Sequence, residues 1–109
     1  MWGAPAALAP NTHRVTYRPI AFCDLDGDED KDLTVANYYS DVSILLNNGD
    51  GTFQAAVDYG AGIYPFSIVA VDLDGDDDND LAVANESDTV SILLNNGDGT
   101  FQEASDYIT

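Results

Sequence analysis

Apolar residues fall along this chain in short runs, each bounded by a polar or glycine-containing stretch. Ile20-Ala21-Phe22-Cys23, Leu33-Thr34-Val35-Ala36-Asn37, Val42–Leu46 and Phe53–Tyr59 make a first set of four. Ile68-Val69-Ala70-Val71, Leu81-Ala82-Val83-Ala84-Asn85, Val90–Leu94 and Phe101–Ile108 make a second. No stretch keeps helical periodicity over ten residues, so the runs predict strands, and their short connections predict an all-β meander. Two connections read as turns from their residues. Asn-Asn-Gly-Asp-Gly-Thr follows Leu46 and again Leu94, and Gly49, Gly51, Gly97 and Gly99 supply the positive φ that tight hairpins demand. The segments Tyr38 to Asp41 and Glu86 to Thr89 read as polar and aromatic turns.

The two sets are copies. Aligning Asp24–Gln54 with Asp72–Gln102, offset by 48, gives 24 identities in 31 positions without a gap, and Val42–Gln54 recurs unchanged as Val90–Gln102. A period of this size suits a unit of four short strands. Val42, Ile44 and Leu46 share one face of their strand by period-two alternation, while Leu45 lies on the other, and Leu93 repeats this. Apolar residues on both faces predict sheets covered on both sides. The small residues Ala21, Ala36, Ala70 and Ala84 suit strands crowded near an axis. Sheets stacked face to face about an axis are propeller blades. The expected architecture is therefore two four-stranded antiparallel blades, residues 15–61 and 62–109, behind an N-terminal segment 1–14 that is either disordered or an added edge strand.

Two blades cannot close a ring, and each keeps an apolar outer face. Either further blades of a longer chain or further copies of this one are expected to cover them. Rings of six or eight blades need three or four chains, and near-identical units favour such a homo-oligomer.

The apolar share of 45% is that of a folding chain, and 109 residues make one small domain. Charge narrows the partners. Arg14, Arg18 and Lys31 stand against twenty acidic residues, for a net charge of −17, which excludes a phosphate-neutralising surface for nucleic acid and disfavours an anionic membrane. Cations, glycans and proteins remain as partners. No window approaches the roughly 18 apolar residues of a membrane span, and Met1 to Pro10 lacks the basic leader and apolar centre of a signal peptide. Cys23 is the single cysteine and aligns with Val71 in an apolar run, so it reads as a small buried hydrophobe. His13, the single histidine, leaves no material for a catalytic triad or a multi-histidine metal site. Asn85-Glu86-Ser87 matches a glycosylation sequon, and Tyr38, Tyr39, Tyr64 and Phe66 fall at loops or strand ends, available for packing between blades or for a glycan or protein ligand.

The chemistry concentrates between the first two strands of each unit. From Asp24 to Asp32 six acidic side chains fall within nine residues, answered only by Lys31; Asp72 to Asp80 repeats the pattern. Carboxylates about 5 Å apart repel by roughly 0.8 kcal/mol per pair even in bulk water. Such a loop either stays loose and hydrated or takes a cation. Ca²⁺ accepts six to eight hard oxygen ligands, and Asp-x-Asp-x-Asp-x-x-x-Asp turns alternate side chains inward in a wrapped loop. An EF-hand would need Glu at the twelfth position and flanking helices; Val35 and Val83 stand there, between strands.

At these residues, at Val35-Ala36-Asn37 and at Asn47–Phe53, with their second copies, the chain resembles the FG-GAP and VCBS repeats, the blade units of integrin α-subunit-type propellers. The resemblance covers Ile20 to the C-terminus. It implies that the loop binds Ca²⁺ through the side chains of Asp24, Asp26, Asp28 and Asp32 with the carbonyl of Asp30, and in the second blade through Asp72, Asp74, Asp76 and Asp80 with the carbonyl of Asp78. Family members usually have Gly after the third ligand, where the backbone turns left-handed; Glu29 and Asp77 stand there instead. The implied function is a non-enzymatic, calcium-binding structural or adhesive module, extracellular or at the cell surface, with two Ca²⁺ per chain. The competing expectations are a catalytic or non-catalytic part of a secreted carbohydrate-active enzyme, and an engineered propeller fragment with no ligand.

Overall fold

In a computed structural model, which describes residues 18–109, every element is a strand. The chain runs β1 (Ile20–Cys23), β2 (Asp32–Asn37), β3 (Asp41–Leu45), β4 (Val57–Gly60), β5 (Pro65–Val71), β6 (Asp80–Asn85), β7 (Thr89–Leu93) and β8 (Ser105–Ile108). They form two four-stranded antiparallel sheets in sequence order, β1-β2-β3-β4 and β5-β6-β7-β8. These are two propeller-like blades that do not close a ring. The N-terminal segment 1–14, His13 and the residues leading to Pro19 lie outside the described residues, apart from Arg18.

Pairing follows the period-two pattern. In the first sheet Thr34 opposes Ile44 and Ala36 opposes Val42, whereas Leu33 opposes Leu45 and Val35 opposes Ser43. Opposed residues share a face, so each sheet has one face of Thr or Ala with Val and Ile, and one of Leu and Val with Asn and Ser. The second sheet keeps the same registers, with Ala82 opposite Ile92 and Leu81 opposite Leu93. The core lies between the sheets. Ala36, Val42 and Ile44 enter it from the first, Ile68, Leu81, Val83 and Leu93 from the second, and Leu25 and Phe101 complete it.

The sheets approach most closely at their inner strands, where β1 and β2 meet β5. Ala21 and Ala70 pack there against the core, as expected of small residues near an axis. Outward the sheets separate. A cleft of about 300 Å³ opens between Tyr59 to Ala61 and Gln102 to Ala104, with Tyr59 and Phe101 edge to face at 5.5 Å beside it. This fan is the shape of neighbouring blades.

Two strand predictions need correction. The runs Phe53–Tyr59 and Phe101–Ile108 are not continuous strands. Phe53 bridges Asn47 and Phe101 bridges Asn95, but the ladder resumes only at Val57 opposite Ile44 and at Ser105 opposite Ile92. Three residues on one side then face two on the other, and the extra residue breaks the pairing as a bulge does. Cys23 is half-buried rather than buried. Burial raises its thiol pKa, and Asn79 Nδ2 lies 2.8 Å from its sulfur.

The connection between the sheets is tight. Gly62 N donates to Ser91 Oγ at 3.0 Å, and a Cβ on Gly62 would collide with the amide of Asn85. Asn85 is itself buried, with its amide donated to Thr89 and Ser91. The folded chain therefore hides the acceptor of the sequon.

Gly62→Ala should destabilise the chain by about 1–3 kcal/mol, the usual cost of overpacking. Gly60→Ala, with nothing within 4 Å of the added carbon, should be neutral or stabilise by up to about 1 kcal/mol. Urea unfolding of the two variants measures the contrast.

Candidate metal centre

Each acidic loop joins the first two strands of its sheet. Asp24 caps the loop from its start: its carboxylate accepts Gly27 N at 2.9 Å and Glu29 N at 2.8 Å. Asp72 does the same with Gly75 N and Asp77 N. Asp28 Oδ1 accepts Asp30 N at 2.9 Å, and Asp76 Oδ1 accepts Asp78 N at 3.0 Å. To wrap this tightly the backbone turns left-handed at Gly27 and Gly75, and again at Glu29 and Asp77, both at φ 71°. A side chain in that region costs about 1–2 kcal/mol. The two positions where the family favours glycine thus hold the conformation that favours it.

The loop ends on a carboxylate of a different kind. Asp32, at the first position of β2, is fully buried, as is Asp80 in the second sheet. Asp32 Oδ2 accepts Leu25 N at 2.7 Å and its Oδ1 accepts Asn47 N at 2.8 Å. Asp80 holds Leu73 N and Asn95 N in the same way at 2.8 Å each. One side chain ties the start of the loop to the end of β3, and each of its oxygens keeps a second lone pair for another partner.

The wrapping brings four carboxylates of each loop together. Oxygens of Asp24, Asp26, Asp28 and Asp32 lie within 4.8 Å of one another, and so do those of Asp72, Asp74, Asp76 and Asp80. The side chains of Asp30 and Asp78, expected to contribute only their carbonyls, lie elsewhere. Asp30 Oδ2 would sit 2.8 Å from a Cβ on Gly49, and Asp78 stands likewise against Gly97. Each loop therefore rests on the Asn-Asn-Gly-Asp-Gly-Thr hairpin of its own sheet.

At 4.8 Å each pair of charges repels by about 0.9 kcal/mol in bulk water and by several times that where water is displaced. Asp26 registers this strain. Burial, a hydrogen bond shared with Asp28 and the charges of Asp32 and Asp28 push its pKa from the usual 3.8 to about 6. Asp74 is raised by its hydrogen bond with Asp76, by burial and by the charges of Asp76 and Asp80. Asp72 moves the other way, held down by the N–H groups of Asp77 and Gly75 against the effect of burial. Such a donor set fits a hard cation. It offers oxygen alone, and donors of one ion at metal–oxygen distances of about 2.3–2.6 Å lie within roughly 5 Å of each other. A cation here would offset the charge that raises Asp26.

Two groups that serve the loop were not singled out from the sequence. Asn47 Nδ2 donates to the carbonyl of Lys31 at 2.8 Å, and Asn95 Nδ2 to those of Asn79 and Leu25. Their signal was present, since both lie in the segment repeated unchanged, but an Asn before Asn-Gly reads first as a turn residue.

The two kinds of carboxylate should separate on substitution. Asp32→Ala strands two buried N–H groups and should cost roughly 2–5 kcal/mol with no ion present. Asp28→Asn keeps the acceptor for Asp30 N while removing a charge, so it should raise stability in chelator and weaken cation binding. Thermal melts in chelator and in excess cation measure both. The raised pKa of Asp26 gives a further sign. Its folded form binds a proton that the unfolded chain releases near 3.8, so its stabilisation is complete below that value and lost as pH rises through about 6. In chelator the melting temperature should therefore rise from pH 7 to pH 5; in excess cation, which competes with that proton, it should fall.

Comparison with curated proteins and with solved structures finds no match. The sequence model of the FG-GAP-like repeat matches twice, over residues 24–83 and 72–109. Both matches begin at the first carboxylate of an acidic loop rather than at the first strand of a sheet, and the first runs on through β5 into β6. With most of its length matched, the chain belongs to the FG-GAP-like repeat family.

Proposed function

We propose that the chain is a calcium-stabilised structural or adhesive module that works outside the cell and carries out no reaction of its own. The observation that supports this most directly is the pair of four-carboxylate clusters, each built at the junction of a sheet's first two strands. Their oxygen-only composition suits Ca²⁺, and each joins to the fold through a buried aspartate. By linkage, an ion that binds only the wrapped loop stabilises the sheet by RT ln(1 + [L]/Kd). With one strained position per loop, Glu29 or Asp77, and two negative side chains at each site's edge, the affinity expected is that of extracellular modules, on the order of 10⁻⁴–10⁻³ M. Such a site fills outside cells and stays largely empty at cytosolic concentrations.

An adhesive role needs a surface away from the ions. The loops and the Asn-Asn-Gly-Asp-Gly-Thr hairpins share one end of the sheets. At the other end Tyr38 stacks on Tyr64 at 4.7 Å across the two blades, and Tyr39 packs edge-on against Tyr38 with most of its surface exposed. Tyr38 and Tyr64 thus pack between the blades, and Tyr39 is left to meet a protein or glycan. No helix among the described residues is long and apolar enough to cross a membrane.

Calorimetric titration with Ca²⁺ should show saturable heat for two ions per chain in the range of about 0.1–1 mM, together with a rise in melting temperature. Absence of both at millimolar Ca²⁺ would remove the metal from this reading. A solution showing turnover of polysaccharides would replace it with an enzymatic one.

A further inference from the structure

The 48-residue repeat gives each blade the same two unlike faces, and the chain uses only one of each. The Ala36, Val42, Ile44 face of the first sheet packs on the Leu81, Val83, Leu93 face of the second. Among the described residues, what remains uncovered is the partner pair: Leu33, Val35 and Leu45 on the first sheet, and Ala84, Val90 and Ile92 on the second. All six are half-buried where their equivalents lie inside or beside the core.

Identical residues at equivalent positions differ only by this neighbour. Ile68 is 8% exposed and Ile20 54%; Leu25 is 2% exposed and Leu73 47%; Phe101 is 6% exposed and Phe53 38%. The finer contacts are duplicated too. Phe101 meets Tyr59 across the sheets, while Phe53 and Tyr107, which repeat them, have no such aromatic partner among the described residues and Tyr107 is 60% exposed. Asn95 Nδ2 reaches across to the carbonyl of Leu25, and its copy Asn47 would meet the carbonyl of Leu73 only on another chain. A Cβ on Gly99 would stand 3.0 Å from Leu46, whereas one on Gly51 meets nothing within 4 Å.

From these we infer that the occupant of each open face is a second copy of this chain, docked head to tail. The Leu33, Val35, Leu45 face of one copy covers the Ala84, Val90, Ile92 face of the next. Leu73 enters the place that Leu25 occupies within the chain, and Phe53 packs on the neighbour's Tyr107. The contact repeats an interface the sequence already forms, with the residues named above identical on each side, while Lys31, Val71 and Ala82 stand where Asn79, Cys23 and Thr34 do within the chain. A two-fold contact would instead set Phe53 against Phe53 and leave Leu73 and the Asn47 amide without their counterparts. Heterologous contacts either close or continue as a filament; three or four chains give rings of six or eight blades. Neighbouring acidic loops meet at one end of every contact, as Asn79 already touches the carbonyl of Asp24 within the chain, so added salt or Ca²⁺ strengthens association.

Sedimentation of the full chain at about 100 μM, where even a weak contact is populated, should give three or four times the mass of one chain, the larger share in Ca²⁺. Leu73→Arg blocks one open face and Phe53→Arg the other. Both side chains are substantially exposed in the single chain, so each variant should keep its circular dichroism and sediment as a monomer. Mixed in equal amounts they should form a 1:1 dimer, because one intact face of each kind remains. A folded wild-type monomer in both Ca²⁺ and chelator would overturn the proposal, as would self-association of either variant alone.

Discussion

Asp32 and Asp80 set a carboxylate beneath the start of the second strand of each sheet, out of contact with solvent. A buried charge is tolerable only when its oxygens are occupied, and here each accepts one backbone N–H from the loop and one from the end of the third strand. This constraint shapes what surrounds it. Because Asp32 holds Leu25 N, the loop must return on itself within seven residues, and it does so by turning left-handed at Gly27 and Glu29. Because it also holds Asn47 N, the loop and the glycine-rich hairpin come together, with Asp30 resting on Gly49. The carboxylates at the centre of the loop are gathered as a consequence, whatever their mutual repulsion.

The loop therefore carries two opposing tendencies. Backbone N–H groups stabilise Asp72 as an anion, while burial, a hydrogen bond with Asp28 and neighbouring charge raise the pKa of Asp26. Hydrogen bonds fix the shape and electrostatics resists it. A cation at the centre would relieve the second without disturbing the first, since the caps use N–H groups that an ion does not need. The strain at Glu29 and Asp77 adds to the cost of wrapping. It is the local departure from family pattern with the clearest physical consequence.

Between the sheets the same economy of repetition works through shape. One face carries alanine and β-branched residues and stays low; the other carries leucine and stands taller, with asparagine and serine at its margins. Two low faces would leave voids and two tall ones would clash, so unlike faces pair. That pairing also carries the hydrogen bond from Asn95 to Leu25 and the close approach of Gly99 to Leu46. Within the chain the two blades thus meet through unlike sides.

Much of this was legible in the residues themselves. The short apolar runs, their period of 48 and the glycines of the hairpins determine an all-β chain of two similar sheets, because alternation and turn chemistry act over a few neighbouring residues. The acidic spacing marks the loop for the same reason. Other features depend on residues far apart in the chain. The breaks after Phe53 and Phe101 come from a one-residue mismatch between paired strands, and no local pattern records it. Asp32 looks like one more acidic residue until the ladder buries it beneath Asn47, fifteen positions on. Which of two identical leucines lies in the core is likewise invisible in a repeat. Only the order in which the sheets stack decides that Leu25 is covered and Leu73 is not.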